Sequence, residues 1–149
     1  MAKNTTGYFL NKQLITKTTF EDTDITNIKT IFTASAEDSW VYDIVVTSTN
    51  TSALDATVYL SDGTDNIVIK QLLTPNNILA EQGTGATSAN PLRLLQSSDG
   101  NQITVRLLDR DQNYYIMVPN GWFLKAKMNS AVTNPYVVTF LVFSRNFEA

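Results

Sequence analysis

Apolar side chains recur at every second position along most of this chain, and this alternation limits its fold more than any other feature. In one long segment, Trp40, Tyr42, Ile44 and Val46 fall on one side of an extended strand. Similar short segments follow along the sequence, and none of helical length shows the 3.6-residue period of an amphipathic helix. The segments predicted to be strands are 28–33, 40–49, 55–61, 67–71, 92–95, 103–107, 115–118, 122–128 and 136–144.

Turn-forming sequences separate these segments. Ser61-Asp62-Gly63 and Ser98-Asp99-Gly100 each contain an Asp-Gly pair, which suits the positive φ of a hairpin turn, and Pro119-Asn120-Gly121 is a third turn. Short strands with turns about every 8–12 residues are typical of sandwiches and barrels. We therefore predict an all-β fold, an antiparallel β-sandwich or jelly roll of about eight strands with an extended N-terminal arm.

The alternation also predicts which side chains face the core. Trp40 and Trp122 fall on the apolar side of their strands, whereas Phe123 falls on the opposite side and is a better candidate for contact with a partner. The segment 136–144 is apolar on both faces. Such a strand is expected in the centre of a sheet or against another surface.

Residues 1–27 differ from the rest of the chain. They are rich in Thr and Asn, and their apolar residues occur only in small groups such as Tyr8-Phe9-Leu10 and Phe20. A segment of this kind cannot form its own core. We predict an extended arm over 1–27 and a β-sandwich domain over 28–149, and two states of the arm stay open: a free terminus, or an arm docked on the body or on a neighbour.

Composition restricts the chemistry available to this domain. The 149 residues contain no His and no Cys, which removes the commonest general base, thiolate nucleophiles, disulfides and the usual transition-metal ligands. The net charge is −3 without any basic run, so a nucleic-acid partner is not expected. The sequence shows no signal-peptide pattern and no run of ~20 apolar residues. We expect no enzyme, no cofactor, no membrane partner and synthesis in a host cytoplasm.

Three motifs resemble functional sites but are better explained as surface segments. Asp109-x-Asp111-x-Asn113 has the opening spacing of a calcium loop but lacks that loop's later Gly and Glu, so we predict a solvated turn and leave an incomplete cation site open. Gly83-Thr84-Gly85 is followed by neither a Lys nor a helix, so the segment 83–91 is predicted to be a long loop rather than a phosphate cradle. The paired carboxylates all lie in polar segments and are expected at the surface: Asp22/Asp24, Glu37/Asp38 and Asp62/Asp65.

The order of these features resembles small all-β virion structural proteins of tailed bacteriophages. The likeness consists of a polar Thr/Asn arm, the strand at 40–49, the Ser61-Asp62-Gly63 turn, a Gly/Ser loop, the segment 118–126 and an apolar last strand. In such proteins, the Pro119-Asn120-Gly121 segment looks like a tight hairpin that leads into the last pair of strands. The resemblance implies a structural role in the virion and no catalytic residues.

Three functions follow as hypotheses. The first is a capsid decoration (cement) protein that binds the major capsid protein or other virion proteins and forms a small homo-oligomer. The second is an accessory protein at the head–tail junction, and the third is a carbohydrate- or receptor-binding β-sandwich with an exposed aromatic cluster beside a groove. The residues predicted to contact a partner are Tyr8, Phe9, Leu10, Phe20, Gly83, Gly85, Asn120, Phe123 and Lys125.

Overall fold

Ten β-strands and one short 3-10 turn make up the regular structure of the residues described. A computed structural model describes residues 12–34, 37–75, 91–96 and 102–146. The 3-10 turn covers Asp22–Asp24. The strands are β1 (Lys12–Phe20), β2 (Ile28–Thr33), β3 (Ser39–Ser48), β4 (Asp55–Ser61), β5 (Asn66–Leu73), β6 (Leu92–Arg93), β7 (Leu107–Leu108), β8 (Tyr114–Val118), β9 (Phe123–Met128) and β10 (Val138–Asn146).

The strands form two antiparallel sheets that enclose one core. The large sheet has the order β1-β10-β3-β8-β7, with β6 also paired to β3, and the small sheet has the order β2-β9-β4-β5. One cluster of buried side chains draws on both sheets and includes Val41, Phe140, Val58 and Leu124. The predicted all-β sandwich is confirmed, and two of its ten strands have only two residues each.

Strand β1 is formed by residues of the predicted arm. It pairs with β10 over its whole length, from Lys12 opposite Asn146 to Phe20 opposite Val138. The Phe20 side chain is fully buried and meets the Phe140 ring edge-on, with centroids 5.5 Å apart. This half of the arm therefore docks on the body by adding a strand to its sheet.

The central position predicted for the last strand is confirmed. β10 lies between β1 and β3 and pairs with both. Its inward side chains Val138, Phe140 and Val142 are fully buried, whereas Leu141 and Phe143 on its outer side are half-buried. One apolar side of β10 therefore packs in the core, and the other apolar side lies half-buried on the outer face of the large sheet.

The inward placement of Trp40 was wrong, because a β-bulge lies in β3. In the pairing of β3 with β10, Phe143 faces Asp43 and the next residue of β10 faces Val41, so Tyr42 is the extra residue. An inserted residue reverses the faces on its two sides. Ile44 therefore points into the core, whereas Trp40 lies on the outer face.

The hairpin expected at Pro119-Asn120-Gly121 was also wrong. Strand β8 belongs to the large sheet and β9 to the small sheet, so this turn carries the chain from one sheet to the other. The turn is closed by a bond from the Trp122 N–H to the Pro119 carbonyl, and Gly121 has a φ of 84°. Trp122 packs against the core as predicted, and its carbonyl accepts a bond from the Ala34 N–H of the small-sheet side.

Other predicted elements have mixed outcomes. The Ser61-Asp62-Gly63 turn joins β4 to β5 as a hairpin, with a Gly63 φ of 97°. The strand predicted at 103–107 is reduced to the two residues of β7, and Ile103 is buried outside any strand. The Ser98-Asp99-Gly100 turn lies outside the described residues.

Candidate interaction surfaces

Strand β5 is an open, apolar edge of the small sheet. Among the described strands it pairs only with β4, and its side chains Ile67, Val68 and Leu73 are 51%, 52% and 61% exposed. Natural proteins shield such edges with short strands, charges, prolines or bulges. β5 has eight residues, one charged residue (Lys70) and one irregularity in its pairing with β4. Its outer row of backbone groups is therefore suited to pair with another strand.

The outer face of the small sheet continues from this edge. The register places Lys125 opposite Tyr59, and Tyr59 opposite Val68, so these three side chains form one row across the sheet. The Lys125 Nζ lies 5.6 Å from the centroid of the Phe123 ring. We call Val68, Tyr59, Phe123 and Lys125 the small-sheet face. The predicted contact residues Phe123 and Lys125 both belong to it.

Two of the remaining predicted contact residues, Asn120 and Phe20, lie within the described residues, and neither joins this face. Asn120 is exposed in the turn between the sheets, and its backbone N–H donates to Asp38 Oδ1 over 2.8 Å. Phe20 is fully buried and contributes to the core, so it presents no surface to a partner. Five predicted positions lie outside the described residues: Tyr8, Phe9, Leu10, Gly83 and Gly85.

The outer face of the large sheet carries an aromatic cluster that includes Trp40, a residue predicted to face the core. Trp40 and Tyr115 stack with their centroids 4.2 Å apart and their planes at 14°. Tyr42 lies 6.3 Å from Trp40 and 6.1 Å from Tyr115, and the guanidinium carbon of Arg145 is 5.0 Å from the Tyr42 ring. Two features explain the cluster: the bulge turns Trp40 outward, and the register places Arg145 beside it.

An ion pair between the buried Asp43 and the half-exposed Arg93 lies beside this cluster. The Asp43 side chain is 6% exposed, and its Oδ2 accepts a 2.7 Å bond from Arg93 Nε. Its Oδ1 accepts bonds from the backbone N–H groups of Ile44 (3.0 Å) and Leu95 (3.2 Å). A buried carboxylate is stabilised only when its oxygens are bonded in this way. Asp43 thereby fixes the short strand β6 and the Arg93 side chain against β3.

The Tyr42 hydroxyl is held in its protonated form. Burial is the main cause that raises its pKa above the ordinary value, and the nearby Asp109 carboxylate raises the pKa further. The positive charge of Arg145 acts in the opposite direction and is the weaker effect. Tyr42 is therefore a hydrogen-bond donor throughout the neutral range.

The Asp109 motif forms a closed turn between β7 and β8. Asp109 Oδ1 accepts bonds from the backbone N–H groups of Asp111 (2.8 Å) and Asn113 (2.9 Å). The Asn113 carbonyl accepts from the Asp109 N–H, and Gln112 has a φ of 65°. Within the described ranges, no three acidic side chains lie close enough together to hold a metal ion. No helix in that part of the chain has the length and apolar character that crossing a bilayer requires.

The sequence pattern placed Trp40 in the core and did not indicate the Asp43–Arg93 pair, for the same physical reason. Both depend on pairing between distant strands, and β3 and β6 are about 50 residues apart. The bulge at Tyr42 has no local Gly or Pro to mark it. The run Ile67-Val68-Ile69 places apolar residues on both faces of β5. This run is the local sequence signal for the exposed apolar side chains at the edge.

Comparisons with known proteins found structural likeness at low sequence identity. No protein-family model and no curated protein matches the sequence. The fold is similar to that in two crystal structures of a pentameric capsid protein isolated from metagenomic phage sequences, each with 17% identity and a TM-score of 0.37. The alignments cover 89% of this chain and 61% and 60% of those chains. This chain spans about 60% of their length, and a similarity this distant assigns no function.

Proposed function

We propose that this protein is a structural component of a bacteriophage virion that acts as a capsid decoration (cement) protein. In this proposal it binds the major capsid protein or another virion protein at the head surface and forms a small homo-oligomer. The assignment to a virion is supported by the order of sequence features: a polar arm, the Ser61-Asp62-Gly63 hairpin, a Gly/Ser loop and an apolar last strand.

The observation that carries the contact role is the open edge at β5. An edge strand with Ile67, Val68 and Leu73 more than half exposed leaves apolar surface and backbone groups unsatisfied by this chain's described residues. Addition of a partner strand would pair those groups and cover the apolar side chains. Contacts of this kind repeated around a particle add up, so each one can be weak.

The arm and loops supply the remaining contacts in this proposal. Phe123 and Lys125 lie on the small-sheet face, which is continuous with β5 through Tyr59 and Val68. The apolar group Tyr8-Phe9-Leu10 precedes β1 in sequence, and the segment 83–91, which is predicted to be a loop, follows β5. We propose that these segments contact the head surface together with the small-sheet face. No catalytic role is proposed, because a chain without His or Cys lacks the commonest catalytic groups.

The test is co-sedimentation of the purified protein with particles that lack it. The V68K variant places a charge on the open edge and is expected to bind at least about tenfold more weakly, which corresponds to about 1.4 kcal/mol. V105K is the control, because Val105 is 50% exposed in a turn away from β5. Both variants should keep the parent melting temperature, since both side chains are exposed.

Two outcomes would count against the proposal. If the parent protein stays in the supernatant while other virion proteins sediment, the decoration role is wrong. If V68K binds as well as V105K, β5 is not the contact edge.

An accessory protein at the head–tail junction would use the same contact chemistry as a decoration protein. The two roles differ in the number of copies of the protein in each particle. A decoration protein is present in many copies per particle, and a junction protein in few. Quantitative gel densitometry of purified particles distinguishes the two. The carbohydrate-binding alternative is favoured by a separate observation, the aromatic cluster on the large sheet.

A further inference from the structure

A cleft of about 740 Å³ lies on the outer face of the large sheet, away from β5 and the small-sheet face. Its size is within the range of small-molecule sites, about 300–1,000 Å³. Tyr42 and Phe143 supply ring surfaces to the lining, and Arg93, Arg145, Gln13 and Asn113 supply polar groups. The cleft therefore combines flat apolar surfaces with a few convergent polar groups, which is the usual composition of a ligand site.

The first arginine is fixed in position by the buried carboxylate. Arg93 Nε donates to Asp43 Oδ2 over 2.7 Å, while 54% of the Arg93 side chain is exposed. Asp43 is itself held by two backbone N–H groups. The tether to Asp43 uses only Nε, so the bonds among the described residues leave the two terminal nitrogens of Arg93 with donors for a ligand at the cleft. A guanidinium held in one orientation loses less conformational entropy when it binds an anion.

The second arginine is also held. The Arg145 guanidinium lies over the Tyr42 ring at 5.0 Å. The Gln13 side-chain oxygen accepts from Arg145 Nη2 at 3.1 Å when the amide is oriented to satisfy both groups. Two arginines and one aspartate line the cleft, and a second carboxylate, that of Asp109, lies near Tyr42. The two guanidinium groups, rather than a net positive charge, are therefore the groups that would bind an anion there.

The floor of the cleft determines what kind of anion fits. It lies over the paired strands β1, β10 and β3, whose backbone groups are engaged with each other. A peptide strand binds by pairing with free backbone groups at a sheet edge, and this floor has such an edge only along the outer side of β1. A ligand that lies over β10 and β3, which are paired on both sides, must be recognised through side chains alone. Aromatic rings match the apolar faces of sugar rings, amides match hydroxyl groups, and guanidinium groups match a carboxylate.

We propose that this cleft binds an acidic saccharide, with the sugar carboxylate at Arg93 and Arg145 and a sugar ring against Tyr42 and Phe143. The site goes beyond the decoration role and does not depend on it, because it lies on the opposite sheet. In a virion, such a site would add attachment to acidic glycans on a cell surface.

The test is titration of the full-length protein, followed by NMR, with three methyl glycosides: glucuronic acid, N-acetylneuraminic acid and neutral glucose. Saturable binding of at least one acidic glycoside, about tenfold tighter than that of methyl glucoside, is expected. R145Q should weaken that binding about tenfold, since it removes one cation without disturbing the buried Asp43 pair. R110Q is the matched control, because Arg110 is exposed in the β7–β8 turn and lies outside the cleft.

Three results would overturn the proposal. One is no saturable binding of either acidic glycoside, and another is equal binding by R145Q and R110Q. The third is tighter binding of a Glu-rich peptide than of both acidic glycosides, which would assign the cleft to a protein partner. R145Q should still co-sediment with particles like the parent, so failure of this proposal is distinguishable from failure of the decoration role.

Discussion

At the scale of single residues, Lys29 connects the end of β1 to the start of β2. Its ammonium group donates to the Thr19 carbonyl over 2.6 Å, pairs with Asp24 at 3.2 Å and lies 5.1 Å from the Phe20 ring centroid. Asp24 also accepts a 2.7 Å bond from the Glu21 N–H. These contacts fix the turn that brings the chain from the large sheet to the small sheet.

The Asp24 contacts predict a pH-dependent contribution to stability. The Glu21 N–H bond is the main cause that lowers the Asp24 pKa, and Lys29 lowers it further. The folded pKa is therefore below the unfolded value of about 3.9, so the contribution is present above that pH and is lost as the pH falls through the folded pKa. We expect D24N to lower the free energy of unfolding by about 0.5–1 kcal/mol near neutral pH.

Urea denaturation at about pH 7 and at about pH 3 measures this difference. The difference in the free energy of unfolding between D24N and the parent should be smaller at the lower pH. D22N, in the same turn, is the control and should change stability less. A difference that stays constant with pH would show that the Asp24 charge does not contribute.

Two buried serines predict opposite effects of the same substitution. Ser144 is 3% exposed, and its Oγ has no hydrogen-bond partner among the described residues. Ser48 is 1% exposed, and its Oγ accepts a 3.0 Å bond from the Asn50 N–H. S144A should be neutral or stabilising, because it removes an unpaired polar group, whereas S48A should cost about 1–3 kcal/mol by leaving an N–H unpaired. Thermal and urea unfolding of both variants check this contrast. A larger loss of stability in S144A than in S48A would contradict it.

At the scale of elements, β1 belongs to the core of the domain although its sequence lies in the predicted arm. F20A should cost about 3–5 kcal/mol, because it removes a fully buried ring packed on Phe140. I15A is the control on the same strand, where the side chain is 65% exposed, and should change stability by less than about 0.5 kcal/mol. Urea denaturation measures both, and equal effects would mean that β1 does not pack as described.

Local sequence patterns predicted most strands but not how distant strands meet. The alternation in 122–128 correctly separated Leu124, Ala126 and Met128 from the outward Phe123 and Lys125, because β9 is regular. The same rule misplaced Trp40, because the bulge depends on pairing with β10. Pro119-Asn120-Gly121 was recognised as a turn, but which strands it joins depends on the partners of β8 and β9. The Arg93–Asp43 pair is likewise set by tertiary pairing.

At the scale of the whole molecule, the two sheets present different outer faces. The small sheet offers an open apolar edge and the small-sheet face, which suit a protein partner. The large sheet offers the aromatic cluster and a cleft lined by two arginines, which suit a small anionic ligand. The two proposed contacts, with the particle and with a glycan, therefore use different sheets and would not compete for one surface.

Removal of residues 1–11 tests the proposed contact role of the arm. The deletion keeps β1 and Phe20, so the melting temperature should stay close to that of the parent. Binding to particles that lack the protein should weaken, because Tyr8-Phe9-Leu10 is lost. If the shortened protein binds particles as well as the parent does, residues 1–11 do not contact the particle and form a free terminus. A deletion of residues 1–27 would also remove β1 and should destabilise the domain.

We propose that this protein functions by surface contact as a component of the virion head, and cryo-electron microscopy of particles with and without the protein tests this proposal. We expect difference density at repeated positions on the head, in which the two-sheet body fits with β5 against a neighbouring strand. Identical maps of the head surface, with the protein absent from the particles, would contradict it.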